Sequence, residues 1–521
     1  IDDEAKTFWL PVNESADGNS VEQGGANLML SNLSSRTIYT DAGSAGLVDF
    51  TKSTVSTALG GDLAAALKFN LTTATSVDSL TLGLLSTELD KTIKWSRGID
   101  VDDEDGDGST SDHRQDIFGD PLHSKPVTID YGNDDVRILI GTNAGYLHFF
   151  QDKNDVLKES WAFIPSSLYK IIKPLRENQE SSKVYGVDGP ISVFFDDKNS
   201  DGIVNGTDRV WAFFGLRRGG NNYYGLDITN PDSPRLMWGG PIIGGTGDFK
   251  ELAQSWSKPT VTYINLKGYE NRPLLVFGAG YDTNKDNVLR TEDTKGRGIY
   301  IVDAQSGKKV WALTSSENGF SGKHSIASDI SVLDSDYDGF TDRLYASDTG
   351  GDVWRIDMPS NSPTSTESPW THFKLASLGS ALASQDRRFF YKPMVARTMF
   401  SKVSETDVNG KSVKTRIDTP FDAVLLGSGN RSKPTGTTTS DQLFMIRDIN
   451  TVTRSFQSDE IPAAITQANL MNMDADPFGN ALDSVDKFTD LEVELGQYHG
   501  AEEVMYVGLS AGGLAAIIAA S

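Results

Sequence analysis

A stretch from Asp334 to Asp342 has the residue spacing of a calcium loop. Carboxylates occupy its first, third, fifth and ninth positions: Asp334, Asp336, Asp338 and Asp342. Gly339 stands at the sixth position, where such a loop must turn sharply, and Phe340 at the seventh would contribute its backbone carbonyl oxygen. Calcium binds several hard oxygens, and alternate residues of a tight loop can direct theirs at one point. The spacing predicts a calcium site, and the alternative is an ordinary acidic turn.

A second loop, residues 197–208, has a similar pattern. Its side-chain oxygens would come from four residues: Asp197, Asn199, Asp201 and Asn205. Gly202 is at the sixth position, Ile203 is at the carbonyl position, and Asp208 is at the twelfth. We predict a second calcium site here, again with an acidic turn as the alternative.

Two further acidic stretches match the pattern less well. Asp282, Asn284 and Asp286 are correctly spaced, but Asn287 replaces the glycine and Arg290 occupies the ninth position. Residues 103–108 begin the pattern with three aspartates, yet only Ser111 stands at the ninth position. We interpret the first as a connecting loop and the second as a solvated acidic linker, with a calcium site as the alternative for each.

Short apolar runs flank both of the stronger loops and predict strands. Residues 330–333 and 344–347 surround the first loop, and residues 191–195 and 210–214 surround the second. Tyr345 stands where a helix–loop–helix calcium site has a glutamate. Each loop is therefore expected to join two strands rather than two helices.

A strand, a glycine turn and a second strand recur along the chain. Five copies are visible, at residues 136–150, 210–227, 274–303, 343–357 and 421–446. One such unit cannot bury both of its faces, whereas several arranged radially can, and this favours an all-β propeller over a flat β-sandwich. The end of the third copy, Asp303 to Trp311, resembles the blade motifs of quinoprotein-type propellers.

The first part of the chain has a different composition and predicts a separate segment. Residues 1–94 are expected to form a lead-in packed on the propeller of residues 95–521. Apolar residues at helical spacing predict one amphipathic helix from Ser79 to Trp95, and the rest of the lead-in is expected to be irregular.

Composition narrows the classes of function. The 521 residues carry 72 acidic and 48 basic side chains, a net charge of −24, which argues against a nucleic-acid partner. There is no cysteine, so disulfides and thiolate metal sites are excluded. No stretch is apolar enough to predict a membrane helix. Ile1 opens the chain without a signal segment, which suggests a processed protein or a fragment.

Four segments in succession resemble the conserved C-terminal domain of the PilY1/PilC family, which is associated with the tips of type IV pili. They are Phe118 to Val127, Gly141 to Phe150, Gly278 to Asp282 and Asp334 to Asp357. The likeness extends over most of residues 95–450. It implies a modified seven-bladed β-propeller with one calcium ion, held by the carboxylates of the 334–342 loop and the carbonyl of Phe340.

The resemblance also implies a function. Proteins of this family act in pilus extension, retraction and surface attachment, so we expect minor pilins at the pilus tip and a host-cell or surface receptor as partners. The expected location is the cell surface, at the pilus tip, on the outer membrane or secreted through the periplasm.

The alternative function is a calcium- and quinone-dependent propeller dehydrogenase. We expect no enzyme, because the predicted calcium loop joins two strands of one blade and would not face a central channel. A Gly-x-Ser-x-Gly pattern around Ser510 does not change this, since no histidine follows it in the chain.

Overall fold

The computed structural model describes residues 6–10, 18, 20, 23–43, 46–178, 183–287 and 291–473. Residues 474–521 of the predicted propeller range, which include Ser510, lie outside the described residues. The chain divides into two compact units. Unit 1 comprises residues 1–261, 272–283 and 293–322, and unit 2 comprises residues 262–271, 284–292 and 323–521.

Unit 1 contains the α-helices of the described residues. They are α1 (Gly25–Ser31), α2 (Lys52–Leu59), α3 (Asp62–Lys68), α4 (Ser79–Ser96) and α5 (Ile172–Arg176). The predicted amphipathic helix is confirmed as α4, and the carboxylate of Asp78 caps it by accepting a hydrogen bond from the Thr81 amide at 2.7 Å.

The expectation of one helix in an otherwise irregular lead-in is wrong. Residues 1–94 also contain α1, α2, α3 and two short strands, β1 (Ile38–Thr40) and β2 (Val48–Asp49). These helices have seven or eight residues, too few for a clear period, and tertiary packing stabilises them. Phe50, Phe69 and Tyr169 lie in the core that α2 and α3 pack into, with the rings of Phe69 and Tyr169 stacked at 4.5 Å. Leu30 of α1 belongs to a separate apolar cluster.

The strands of unit 1, within the part of the chain that the structure describes, form three sheets. The first has the order β2-β1-β6-β5-β4-β3, the second β10-β9-β8-β7 with β11 also on β9, and the third β12-β13-β14-β15. The strands of the first are β3 (Val127–Asp130), β4 (Asp135–Gly141), β5 (Leu147–Lys153) and β6 (Val156–Ile164). Those of the second are β7 (Ile191–Asp196), β8 (Arg209–Gly215), β9 (Asn222–Asp227), β10 (Arg235–Leu236) and β11 (Ile242–Ile243). Those of the third are β12 (Thr260–Thr262), β13 (Leu274–Gly278), β14 (Gly298–Asp303) and β15 (Lys309–Thr314).

The described part of unit 2 contains two sheets, with the orders β16-β17-β18-β19-β23 and β20-β21-β22. The first consists of β16 (Ser331–Leu333), β17 (Arg343–Ser347), β18 (Asp352–Asp357), β19 (Thr371–Ser377) and β23 (Ile465–Thr466). The second consists of β20 (Met394–Val408), β21 (Lys411–Gly427) and β22 (Leu443–Asp448). β20 and β21 form a hairpin much longer than any other among the described residues.

The five recurring copies of the sequence correspond to antiparallel strand pairs. The pairs are β4–β5, β8–β9, β13–β14, β17–β18 and β21–β22, one in each of the five sheets of the described residues. The all-β class is therefore confirmed for the sheet-bearing part of the chain, while the number of seven blades stays a prediction.

Candidate metal centre

The loop of residues 334–342 joins β16 to β17, as the flanking apolar runs predicted. Leu333 pairs with Arg343 at the open end of the loop. The Asp342 amide donates to the Leu333 carbonyl at 3.0 Å, so the ladder continues to the last residue of the loop. Two paired strands thus fix both ends of the acidic stretch.

Three of the predicted ligands meet in space. Carboxylate oxygens of Asp334, Asp336 and Asp338 all lie within 4.8 Å of one another, with Asp336 and Asp338 exposed and Asp334 half-buried. Desolvation and then the negative charges of Asp338, Asp342 and Asp334 raise the pKa of Asp336 above its ordinary value. The cluster is therefore electrostatically unfavourable on its own, and a divalent cation would relieve the repulsion.

Backbone amides hold this loop in its turn. The Gly339 amide donates to Asp334 Oδ2 at 2.9 Å, and the Phe340 amide donates to Asp338 Oδ1 at 2.8 Å. Gly339 has φ of +92°, a conformation that favours glycine. The sixth position therefore carries glycine for the reason that the spacing suggested.

Asp342 is engaged by Ser335. Its carboxylate accepts hydrogen bonds from the amide of Ser335 at 3.0 Å and from the hydroxyl of Ser335 at 2.5 Å. It is not one of the three residues that meet within 4.8 Å. The roles of Asp342 and of the Phe340 carbonyl as metal ligands stay predictions.

The second loop, residues 197–208, joins β7 to β8 and repeats the same backbone pattern. The amide of Gly202 donates to Asp197 Oδ2 at 2.8 Å, and the amide of Ile203 donates to Asp201 Oδ1 at 2.8 Å. Asp208 accepts from the amides of Lys198 and Asn205, both at 2.9 Å.

Side-chain amides satisfy the acidic group of this second loop. Asn199 and Asn205 donate to Asp201 Oδ2 at 2.9 and 2.8 Å. The hydrogen bond from the Ile203 amide and then that from Asn205 lower the pKa of Asp201. The predicted ligands Asp197, Asn199, Asp201, Ile203 and Asn205 thus share one loop, but Asp201 is already well supplied with donors.

The stretch that we interpreted as a linker also gathers its carboxylates. Oxygens of Asp103, Asp105 and Asp107 lie within 4.8 Å of one another. The Gly108 amide donates to Asp103 at 3.0 Å, and the Ser109 amide donates to Asp107 at 2.7 Å. The first seven positions alone therefore set this conformation, and the missing ninth-position carboxylate does not prevent it.

Asp282, in the acidic stretch that we interpreted as a connecting loop, accepts hydrogen bonds from residues outside that stretch. One of its carboxylate oxygens accepts hydrogen bonds from the amide and hydroxyl of Thr294 and from the amide of Lys295. The ninth position, Arg290, lies outside the described residues. This arrangement agrees with the interpretation of a connecting loop.

A buried group of charged residues, which sequence reasoning missed, lies directly after the first loop. It consists of Arg343, Arg355, Asp357, Asp422 and Asp448, all almost completely buried. Arg343 Nη1 donates to Asp422 at 2.6 Å, and Arg355 donates to Asp357 at 2.7 Å and to Asp448 at 2.7 Å. We call this group the buried ion cluster.

Arg397 connects the buried ion cluster to the 334–342 loop. Its Nε donates to Asp422 at 2.9 Å, and its Nη1 donates to the Ser335 carbonyl at 2.9 Å. Ser335 also contacts Thr453, with 2.9 Å between the hydroxyl oxygens. No local signal in the sequence marks Arg397, because the pairing of β20 with β21 places it opposite Asp422.

These observations define the structural class of the protein. It is sheet-rich, with repeated antiparallel units and an acidic loop between two strands of one unit. A family model, the PilY1 β-propeller domain, matches residues 129–456. The chain belongs to the PilY1 β-propeller domain family. The match contains both the 197–208 loop and the 334–342 loop.

Curated relatives are described as type IV pilus biogenesis factors. PilY1 of Pseudomonas aeruginosa (strain UCBPP-PA14) is 27% identical over 278 residues, which is 48% of this chain and 21% of the relative. A PilY1 homolog of Xylella fastidiosa (strain Temecula1) is 26% identical over 232 residues, 44% of this chain and 14% of the relative. The chain thus matches about a fifth or less of the length of these relatives.

A solved structure, that of the P. aeruginosa PilY1 C-terminal domain, is similar at 22% identity with a TM-score of 0.42. The match includes 65% of this chain and 61% of the solved chain. Among the described residues, none of the helices combines the length and the apolar character that crossing a membrane would require.

Proposed function

We propose that this chain is a calcium-binding β-propeller domain that works in type IV pilus biogenesis. The observation that carries the proposal is the meeting of Asp334, Asp336 and Asp338 inside the span that matches the family. Relatives of the same family are described as type IV pilus biogenesis factors. The propeller would have seven blades, as the resemblance implies.

The donor set suits calcium. Carboxylate and carbonyl oxygens are hard ligands, and calcium accepts six to eight of them in flexible geometry. Asp334, Asp336 and Asp338 would supply the core of the site, and Asp342 and the Phe340 carbonyl would complete it. We propose the 197–208 loop as a second, weaker site, because its amide groups already satisfy Asp201.

The proposed setting is the pilus tip. There the domain would contact minor pilins, regulate pilus extension and retraction, and support adhesion to a host-cell or surface receptor. The location would be the cell surface, at the pilus tip, on the outer membrane or secreted through the periplasm. The strongly acidic composition of the chain fits a cation-binding surface protein better than a protein that binds nucleic acid.

Calcium occupancy would regulate the protein through Ser335. Its carbonyl accepts a hydrogen bond from Arg397, which lies on β20 of the long hairpin. A change in the acidic loop would therefore alter a contact at the base of that hairpin. Such a coupling can be no larger than the difference in calcium affinity between the two states.

The test uses two substitutions of one residue. Asp338→Ala removes a ligand and mimics the empty loop, whereas Asp338→Lys places an ammonium group near the cation position. We expect Asp338→Ala to alter surface piliation and twitching and Asp338→Lys to restore them in part. The matched control is the exposed Asp459→Ala, which should leave both unchanged.

Two results would contradict the proposal. Unchanged calcium binding of Asp338→Ala in titration calorimetry would remove the metal site. Normal piliation and twitching in both Asp338 variants, with calcium binding lost, would reduce the loop to a structural role. A dye-reduction assay with quinone and calcium tests the dehydrogenase alternative, and turnover there would favour it.

A further inference from the structure

Three asparagines of the chain are followed directly by glycine: Asn205, Asn318 and Asn409. An Asn-Gly step is chemically labile, because glycine has no side chain to hinder attack of its backbone nitrogen on the asparagine carboxamide. All three asparagines and the glycines after them are exposed. Sequence and solvent access therefore do not distinguish the three steps, and the local structure decides which of them reacts.

Backbone conformation separates Asn205 from the other two. The attack needs the asparagine side chain and the next backbone nitrogen on the same side of the Cα–C bond. Asn318 has φ of +60° and Asn409 has φ of +58°, both in the left-handed region. A ψ of about +47° accompanies that conformation and turns the next nitrogen away from Cβ. The φ of Asn205 is negative, so its backbone lacks this obstacle.

Hydrogen bonds restrain the same two sites a second time. The Gly410 amide, which would be the nucleophile, donates to Asp407 Oδ1 at 2.8 Å. The carboxamide of Asn318 donates to the Ala312 carbonyl at 2.6 Å, on a buried strand. The Gly206 amide, by contrast, has no hydrogen-bond acceptor among the described residues. The nucleophile is therefore available at the first site.

The carboxamide of Asn205 is bonded only within its own loop. Its Nδ2 donates to Asp201 Oδ2 at 2.8 Å and to the Ile203 carbonyl at 3.1 Å. Asp201 is exposed, and both acceptors belong to the loop rather than to a strand. The loop can therefore release this side chain without opening a sheet.

We propose that Asn205 is a site of spontaneous deamidation, which places a carboxylate at the ninth position of the 197–208 loop. The backbone nitrogen of Gly206 bonds to Cγ of Asn205, and the Cγ–Nδ2 bond breaks. The proton of the Gly206 amide leaves with Nδ2 as ammonia. Water then opens the cyclic imide to aspartate or isoaspartate, so the step needs no other reactant.

The product reverses the charge balance of the loop. Asn205 now supplies a hydrogen to Asp201, and after the reaction a second carboxylate stands in its place. The two negative charges repel, and a divalent cation relieves the repulsion. More charge on the ligands also strengthens calcium binding. This consequence rests on the proposed calcium function of the loop, whereas the deamidation itself does not.

The experiment follows the three Asn-Gly steps in one sample. The whole chain is incubated at mildly alkaline pH in water enriched in heavy oxygen, with and without urea. Trypsin cleaves after Lys198 and Arg209, so residues 199–209 form one peptide and the other two steps lie in separate peptides. In the folded chain, Asn205 should take up label roughly tenfold faster than the others. In urea the three rates should converge, because the local structure is lost.

Calorimetry tests the consequence for calcium. Asp338→Ala removes the proposed tighter site and serves as the background. In it, Asn205→Asp should bind calcium roughly tenfold more tightly than the background alone. Asn409→Asp is the matched control, because it makes the same change at an Asn-Gly step outside the loop, and should leave the affinity unchanged.

The two arms fail separately. Labelling of Asn318 or Asn409 as fast as that of Asn205 in the folded chain would overturn the modification site. Asn205→Asp with the affinity of the background would overturn the gain in calcium binding. A wild type that binds no calcium at all would contradict the proposed function, while the labelling would still decide whether Asn205 is the reactive site.

Discussion

Two loops with nearly the same sequence pattern differ in how their charges are balanced. In both, the sixth and seventh amides donate to the first and fifth carboxylates, which explains their similar conformation. In the 334–342 loop the carboxylates face one another and repel. In the 197–208 loop, the side chains of Asn199 and Asn205 donate to Asp201. They stand at the third and ninth positions, where the first loop carries aspartates. The same turn can therefore leave its carboxylates close together and repelling, or satisfy them with its own side-chain amides.

The residues that follow the two loops differ even more. Arg343, after the first loop, is completely buried and pairs with Asp422, which is equally buried. Arg209, after the second, is about half exposed and pairs with Asp196 at 2.8 Å. The first loop is thus attached to the interior of its unit and the second to the surface.

The largest expected effect is the difference in stability loss when each of these two arginines is replaced by methionine. Arg343→Met leaves the buried carboxylate of Asp422 without its main partner, and we expect it to lower the free energy of unfolding by about 3–5 kcal/mol. Arg209→Met removes an exposed pair and should cost less than about 1 kcal/mol. Urea denaturation of both variants measures the difference, and similar losses would show that burial does not distinguish the loops.

The second effect concerns calcium-dependent stabilisation. At a calcium concentration of about 100 times Kd, the wild type should gain about 2.7 kcal/mol in the free energy of unfolding. Asp338→Ala should lose this gain, whereas Asp201→Ala should keep most of it because we propose the tighter site in the 334–342 loop. Thermal unfolding with calcium and with chelator provides the measurement. The reverse order of the two variants would assign the tighter site to the 197–208 loop.

A smaller effect is expected from Arg397. Arg397→Met removes the contact to the Ser335 carbonyl without touching a proposed ligand, so calcium affinity should change by roughly 2- to 30-fold. Titration calorimetry measures the change, and Arg416→Met, on β21 of the same hairpin, is the control because Arg416 pairs with Asp418 at the surface. An affinity equal to that of the wild type would show that the loop acts alone.

The smallest expected effect is the pH dependence of stability in the absence of calcium, which has opposite signs for the two loops. The pKa of Asp336 is raised, so the calcium-free fold becomes less stable as the pH rises through and beyond the ordinary value of 3.8. The pKa of Asp201 is lowered, so its stabilising contribution is present above 3.8 and disappears as the pH falls through the lower folded-state pKa.

Near neutral pH, Asp336→Asn should therefore stabilise the chelator-treated protein slightly, and Asp201→Asn should destabilise it slightly. Urea midpoints in chelator, compared at neutral pH and near pH 3, measure both signs. A destabilising Asp336→Asn would show that its neighbours do not repel it.

The sequence was sufficient where the structure depends on neighbouring residues. The 334–342 loop, its flanking strands and helix α4 follow from local spacing, and the structure confirms the strands and the helix. The 103–107 stretch shows the limit of a ligand template, because Gly108 and Ser109 set its turn without the expected ninth-position oxygen.

The buried ion cluster could not be predicted in this way. Arg343, Arg355, Asp422 and Asp448 come from four strands of two sheets, and each by itself resembles an ordinary exposed charge. Only the pairing of the strands and the packing of the sheets bring them together. The short helices of the lead-in were missed because their stability comes from tertiary packing, around Phe69 for α2 and α3 and through Leu30 for α1.

The long hairpin has a practical consequence for experiments on this family. Asn409 and Gly410 form its two-residue turn, both with positive φ, and residues 411–420 of β21 are all exposed. Surface hairpin tips of this kind tolerate insertions, since no buried group depends on them. An epitope or fluorescent peptide placed between Asn409 and Gly410 would therefore label the domain while leaving the 334–342 loop and the buried ion cluster unchanged.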